Sequence, residues 1–167
     1  SRTQKGKNYK SFAEARQNVS DMVGGRLEYN EDKKEWQFRD KSRRVYDIAA
    51  TSEGVKKLSI LDLLLGIHYL DNQSIILIDE VEANLHPSLI SRLLDTILSL
   101  ANAGVQFFIA SHSYFVVKRL YIMAHKQAMS IPVLSFEDGA CQVGDLQQEM
   151  PKNPIVDESI NWFATHS

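Results

Sequence analysis

The stretch from Ser74 to Pro87, Ser-Ile-Ile-Leu-Ile-Asp-Glu-Val-Glu-Ala-Asn-Leu-His-Pro, constrains the fold more than any other part of the chain. Ile75, Ile76, Leu77 and Ile78 form an apolar run too short for a helix and rich in β-branching, the pattern of a strand buried on both faces. Asp79 and Glu80 end the run. Pro87 suits the first turn of a following helix, where its missing N–H costs nothing. An open α/β sheet places its chemistry at the carboxyl ends of its strands. Two acids there can divide labour: one holds a magnesium ion through its water shell, the other takes a proton from an attacking water. Two acids that merely solvate a strand end are the simpler alternative, and the residues downstream of Pro87 decide between the two.

A chain of 167 residues is one domain's worth and can bury a real core. Its hydrophobic fraction of 44% and charged fraction of 24% are ordinary for a soluble globular protein. A net charge of −2 carries no whole-chain signal for a polyanionic partner, while leaving room for a local basic patch. Cys141 is the single cysteine, so an intramolecular disulfide is excluded and a reducing, cytoplasmic setting fits. No apolar run approaches the ~20 residues a membrane helix needs. The sequence starts at Ser1 with neither an initiator methionine nor a signal-peptide pattern, which leads to the expectation of a fragment or processed chain.

Residues 1–10 are polar and basic and are expected to be disordered; residues 11–167 are expected to form one lobe. Ser11 with Glu14 is a capping-box pattern, followed by Phe12, Ala15, Val19 and Met22 on one helical face and a Gly24-Gly25 stop. Residues 26–40 alternate: Leu27 and Tyr29 share one side, Trp36 and Phe38 another, about a polar turn at 30–34, so an antiparallel hairpin is predicted with its rings as core. Residues 43–50 extend as a third strand. Ser52 opens a helical stretch to about Leu70 in which Leu58, Leu61, Leu65 and Tyr69 recur at helical intervals. A helix start bearing hydroxyls and a glycine is first of all an N-cap, and it also exposes N–H groups that suit an anion. Residues 89–100 predict a strongly amphipathic helix carrying Ile90, Leu93, Leu94, Ile97 and Leu98. Val105 to Ala110 is a second buried-strand run ending at Ser111-His112-Ser113. Strand, helix and strand in that order predict a right-handed parallel crossover, which could bring His112 to the sheet edge of Asp79 and Glu80.

Further on, residues 114–126 read as a helix with Phe115, Val116, Leu120 and Met123 inward. Short strands at 131–136 and 141–143 flank the turn 137–140. Cys141 is expected to be a buried small residue, because no second cysteine or histidine accompanies it. After the breaking segment 150–154, a last helix at 155–164 would pack Ile160 and Phe163 inward. No internal repeat or low-complexity segment is present.

Taken together, these residues resemble an ordered motif set. Ile75–Glu80 resembles the extended Walker B motif of ABC-type ATPases, in which Glu follows Asp. Ala50 to Leu58 resembles their signature motif: Ser52 holds the serine's place, Gly54 the second glycine's, and Lys56 the basic residue's, while Glu53 departs from the first glycine. Ala83 to His86 falls where the D-loop lies, with His86 in place of the usual Asp. His112, 32 positions after Glu80, resembles the switch histidine. The chain is similar to the C-terminal lobe of a soluble, AAA-annotated ABC-type ATPase head, of the chromosome-maintenance and overcoming-lysogenization-defect types, well over residues 26–126 and more weakly beyond. The resemblance implies an α/β, parallel-sheet P-loop NTPase C-terminal half with an N-terminal antiparallel hairpin. It implies ATP and Mg2+ as cofactors, with Glu80 as general base and Asp79 on the metal side. His112 would sense the γ-phosphate, Ser52 and Gly54 would contact the nucleotide of the opposite subunit, and Asn84 and His86 would take part in nucleotide binding from the D-loop.

A G-x-x-x-x-G-K-[ST] loop is absent from the sequence, and so is the Q-loop that precedes the signature in this family. Both are expected in an upstream segment, the head's own N-terminal Walker A half, so the chain alone is expected to bind ATP poorly. A homodimer of heads closed around ATP is the implied assembly; nucleic acid stays open as a partner, and a membrane does not. Two other readings remain: a non-catalytic, ATPase-derived scaffold for a partner or DNA, and a metal-dependent nuclease using Asp79, Glu80 and Glu82.

Overall fold

Ala15, Val19, Met22 and Val23 recur at helical spacing and form the buried stripe of helix α1 (Arg2–Val23). The computed structural model describes residues 2–152 and 154–166, without the side chains of 2–9, 163 and 166. Helix α1 begins at Arg2, so Ser11 lies inside it rather than at its cap. A polar segment can continue a helix into solvent when its packed turns already supply the nucleus. Gly24, at φ 69, ends the helix in the left-handed conformation that a glycine adopts without penalty. The chain divides into two units, Ser1–Ala110 and Ser111–Ser167.

In the first unit, β1 (Gly25–Asn30) pairs antiparallel with β2 (Glu35–Asp40), setting Leu27 opposite Phe38 and Tyr29 opposite Trp36. The Asn30 carboxamide oxygen accepts from the N–H groups of Asp32 and Lys33 and shapes the turn. Phe38 is core; Tyr29 and Trp36 meet edge-on with centroids 5.3 Å apart but stay exposed near the hairpin tip. The third strand, β3 (Val45–Asp47), is shorter than predicted. The Asp47 carboxylate accepts from the Ala49 N–H at 2.8 Å and turns the chain into a 3-10 segment, Ile48–Ala50.

Helix α2 (Glu53–Gly66) buries Leu58, Leu61 and Leu65. It stops short of Tyr69, which is exposed. His68, at φ 55, takes the left-handed position of a Schellman end, with the Tyr69 N–H bonded to the Leu64 carbonyl at 3.1 Å and the His68 N–H to that of Leu65 at 3.4 Å. Strand β4 (Ile75–Ile78), helix α3 (Pro87–Asn102) and strand β5 (Gln106–Ile109) make the expected parallel unit, with Ile75 opposite Gln106 and Ile78 opposite Ile109. All five predicted apolar positions of α3 are buried. Helix α1 packs on both α2 and α3.

The burial of β4 and β5 corrects the sequence reading. Ile76, Ile78, Phe107 and Ile109 are half-buried, whereas Ile75, Leu77 and Phe108 on the other face are 59%, 76% and 53% exposed. The apolar run anticipates two covering layers, and within the described residues of this unit only one face of the two-stranded sheet is packed.

The second unit holds α4 (Tyr114–Gln127), an antiparallel ribbon of β6 (Pro132–Glu137) and β7 (Ala140–Asp145), and α5 (Pro154–His166). Val116 and Met123 are buried in α4 as expected, and Leu120 is partly so, but Phe115 is exposed. Cys141 is also exposed, contrary to its expected burial. It lies opposite Phe136 in the ribbon, on the face that also presents Leu134 and Val143 to solvent, while Ser135 on the other face is buried. Ile160 is exposed rather than inward, and the Phe163 side chain lies outside the described residues. Among the described residues no helix is long and apolar enough to cross a membrane.

Candidate functional site

Strand β4 delivers Asp79 and Glu80 to solvent at its carboxyl end. The strand pair persists for one bond past the ladder, from the Ala110 N–H to the Ile78 carbonyl at 2.9 Å. The backbone then reverses. Glu80 has φ 48 and Asn84 φ 56, both left-handed. Asparagine tolerates that region, whereas an ordinary side chain such as glutamate is strained there by roughly 1–2 kcal/mol. The Ala83 N–H bonds the Glu80 carbonyl at 2.9 Å and the Leu85 N–H that of Glu82 at 3.2 Å, so the loop is two successive tight turns pinned by the fully buried Val81.

Helix α2 abuts this loop. Gly54 is buried, and a Cβ there would meet the Asn84 carbonyl and the Leu85 side chain. One turn on, the Lys57 ammonium donates to the carbonyls of Asp79 at 2.6 Å and Glu80 at 2.9 Å. The fold therefore brings Ser52–Gly54 and Asp79–His86 together within one unit.

Each remaining candidate has a definite local role. The Ser52 hydroxyl caps α2, accepting from the Val55 N–H at 3.3 Å, and retains its own proton to donate. Glu53 pairs with Lys56 at 2.7 Å; that hydrogen bond holds its carboxyl below the usual range. His86 caps α3: its Nδ1 accepts from the Ser88 N–H at 3.3 Å and sits 2.8 Å from the Ser88 hydroxyl. His112 is exposed and belongs to the second unit, between Ser111 and Ser113, whose N–H bonds the Ser111 hydroxyl at 3.1 Å.

Among the described residues, no group of three or more histidine, cysteine or acidic side chains could hold a metal ion. Asp79, Glu80 and Glu82 are not gathered into such a group. An exposed strand-end aspartate does fit a magnesium ion that takes its remaining ligands from water and phosphate. Lys57 is the residue that sequence reading missed in favour of Lys56. The signal was available: three positions after Gly54, it shares the helix face that Gly54 presents to the loop.

The family model described as "AAA domain, putative AbiEii toxin, Type IV TA system" matches residues 3–118. Among solved structures, the chain is similar to an SMC ATPase from work on ATP-driven dimerization and DNA-stimulated activation, at 20% identity and TM-score 0.52 over 93% of this chain and 92% of that one. It is similar to an SMC head bound to the C-winged helix domain of ScpA, at 22% identity and TM-score 0.53, over 83% of this chain and 41% of that one. A third likeness is to an SMC head domain with an extended coiled coil, bound to the C-terminal domain of ScpA derived from Pyrococcus furiosus. There the identity is 20% and the TM-score 0.52, over 95% of this chain and 37% of that one. At these identities the likeness is one of fold, and the chain spans less than half the length of the latter two. No curated protein matches.

Proposed function

The chain belongs to this AAA-domain family, and on that premise we propose that it is the C-terminal lobe of an ATP-binding and ATP-hydrolysing head. The observation that carries the reading is the junction of the α2 N-terminus with the loop after β4, where Gly54 lies against Asn84 and Leu85 just beyond Asp79 and Glu80. A helix N-terminus that suits an anion and a strand-end base thus share one rigid corner.

In this reading Glu80 accepts the proton of the water that attacks the γ-phosphorus, and Asp79 orients toward the metal side of the nucleotide. Bound magnesium supplies charge neutralisation of the β- and γ-phosphates. Ser52, with its remaining O–H, and the backbone of Gly54 contact the γ-phosphate held by an opposing head, Asn84 and His86 line that head-to-head interface, and His112 senses the γ-phosphate. The lobe acts as a homodimer of heads in the cytoplasm. A Walker A half of the same head completes the site, and its sheet and helices are suited to cover the exposed Ile75, Leu77 and Phe108.

One observation favours a second reading, a non-catalytic scaffold for a partner or nucleic acid. Glu53 sets a carboxylate at the helix end where a phosphate would approach, although Lys56 offsets its charge. Both readings meet the same test. Joined to its Walker A half, the protein should hydrolyse ATP in a magnesium-dependent way that Asp79→Ala and Glu80→Gln each abolish. Absence of hydrolysis in an assembled head that binds ATP would favour the scaffold.

A further inference from the structure

We propose that Lys57 is the positioning residue for the strand-end carboxylates, locking the backbone of Asp79 and Glu80 to helix α2. The inference rests on the catalytic reading of Glu80 and names a group that acts through it. In extended backbone, successive carbonyls point to opposite sides, as successive side chains do, and no single cation can hold both. Here both converge on one ammonium, at 2.6 and 2.9 Å. They converge because Glu80 has left the strand conformation for φ 48. The strained residue and the lysine are therefore one device: the reversal creates the paired acceptors, and the ammonium holds the reversal in place.

The neighbouring cation shows that this use is particular to Lys57. Lys56 is hydrogen-bonded to Glu53, whereas the Lys57 ammonium donates to two backbone oxygens and acts on Glu53 only through its charge. Gly54, on the same helix face, lets α2 come close enough for the lysine to reach, since a Cβ there would already meet the Asn84 carbonyl. Ser52, the group assigned to the opposing head's phosphate, caps the same helix.

The test uses the assembled head, with Lys57→Met to keep the stem and remove the donors, Lys57→Arg to restore them, and Glu80→Gln as comparator. Lys57→Met should lower kcat roughly 10- to 100-fold while leaving the KM for ATP nearly unchanged. Amide hydrogen exchange over residues 80–85 should quicken while that of α3 stays as in the parent, and Lys57→Arg should recover both properties. Unchanged kcat and exchange in Lys57→Met would overturn the proposal. So would equal acceleration throughout α2 and α3, which marks plain destabilisation. If Glu80→Gln abolishes turnover and Lys57→Met does not, the positioning role fails alone. If Glu80→Gln leaves turnover intact, the catalytic reading fails and takes the positioning role with it.

Discussion

The Cβ that Gly54 lacks would stand 2.8 Å from the carbonyl oxygen of Asn84 and 2.6 Å from Cδ2 of Leu85. A leucine methyl can rotate away, but a backbone oxygen in a pinned turn cannot move without its neighbours. Gly54→Ala should therefore destabilise the protein by about 1–3 kcal/mol, the usual cost of forcing extra volume into packed structure. Urea unfolding monitored by tryptophan fluorescence would measure it. A stability equal to the parent's would mean that α2 and the loop are not pressed together as described.

The chain alone should show no appreciable ATP turnover, because it contains no phosphate loop to cradle the β- and γ-phosphates. A steady-state assay of the purified chain gives the answer. A magnesium-dependent rate in the ordinary enzymatic range that disappears with Glu80→Gln would contradict this expectation.

In the assembled head, Glu80→Gln retains size and most hydrogen bonding but loses the capacity to accept a proton. The hydrolysis rate should fall roughly 10²–10⁴-fold with little change in nucleotide affinity, and the ATP-held dimer should accumulate. Size-exclusion chromatography with and without ATP reports the trapped species; near-parental hydrolysis would remove Glu80 from the role of base.

Asp62 offers a test of the α1–α2 packing through pH. It is 9% exposed, and one of its carboxylate oxygens has no hydrogen-bond partner among the described residues. Burial pushes its carboxyl above the usual value, with the Arg16 charge opposing. The folded state thus holds this proton more tightly than the unfolded state, so Asp62's contribution to stability is full below the unfolded value near 3.8 and is lost as pH rises through the raised folded value. Asp62→Asn should cancel that loss, making the variant relatively more stable at neutral pH than at pH 3.5. Urea midpoints of the two proteins across this range measure the difference, which removes the opposite trend contributed by Glu28, Asp40 and Asp145, whose carboxyls are lowered by their hydrogen bonds. A difference that does not vary with pH would show Asp62 to be solvated.

The sequence by itself determined the elements and their order. The period of Ile90, Leu93, Leu94, Ile97 and Leu98 specified α3, the alternation on either side of 30–34 specified the hairpin, and an apolar run closed by two acids specified a strand with solvent at its end. These features depend on residues a few positions apart, whose spacing is set by the helical and extended repeats themselves. The same locality made Asp79 and Glu80 legible as candidates, whereas Ser52, Gly54, Asn84 and His86 became candidates only through the resemblance to the ABC-type ATPase motifs. Tertiary structure decided what each of them touches: that Gly54 meets Asn84, that Lys57 rather than Lys56 reaches the loop, and that Glu80 is turned out of the strand conformation. It also decided burial. Leu77 and Phe108 read as interior from their apolar runs, and Cys141 from its lack of a cysteine or histidine companion; all three are exposed, because a side chain is buried only where another layer of chain lies across it, and no local pattern contains that layer.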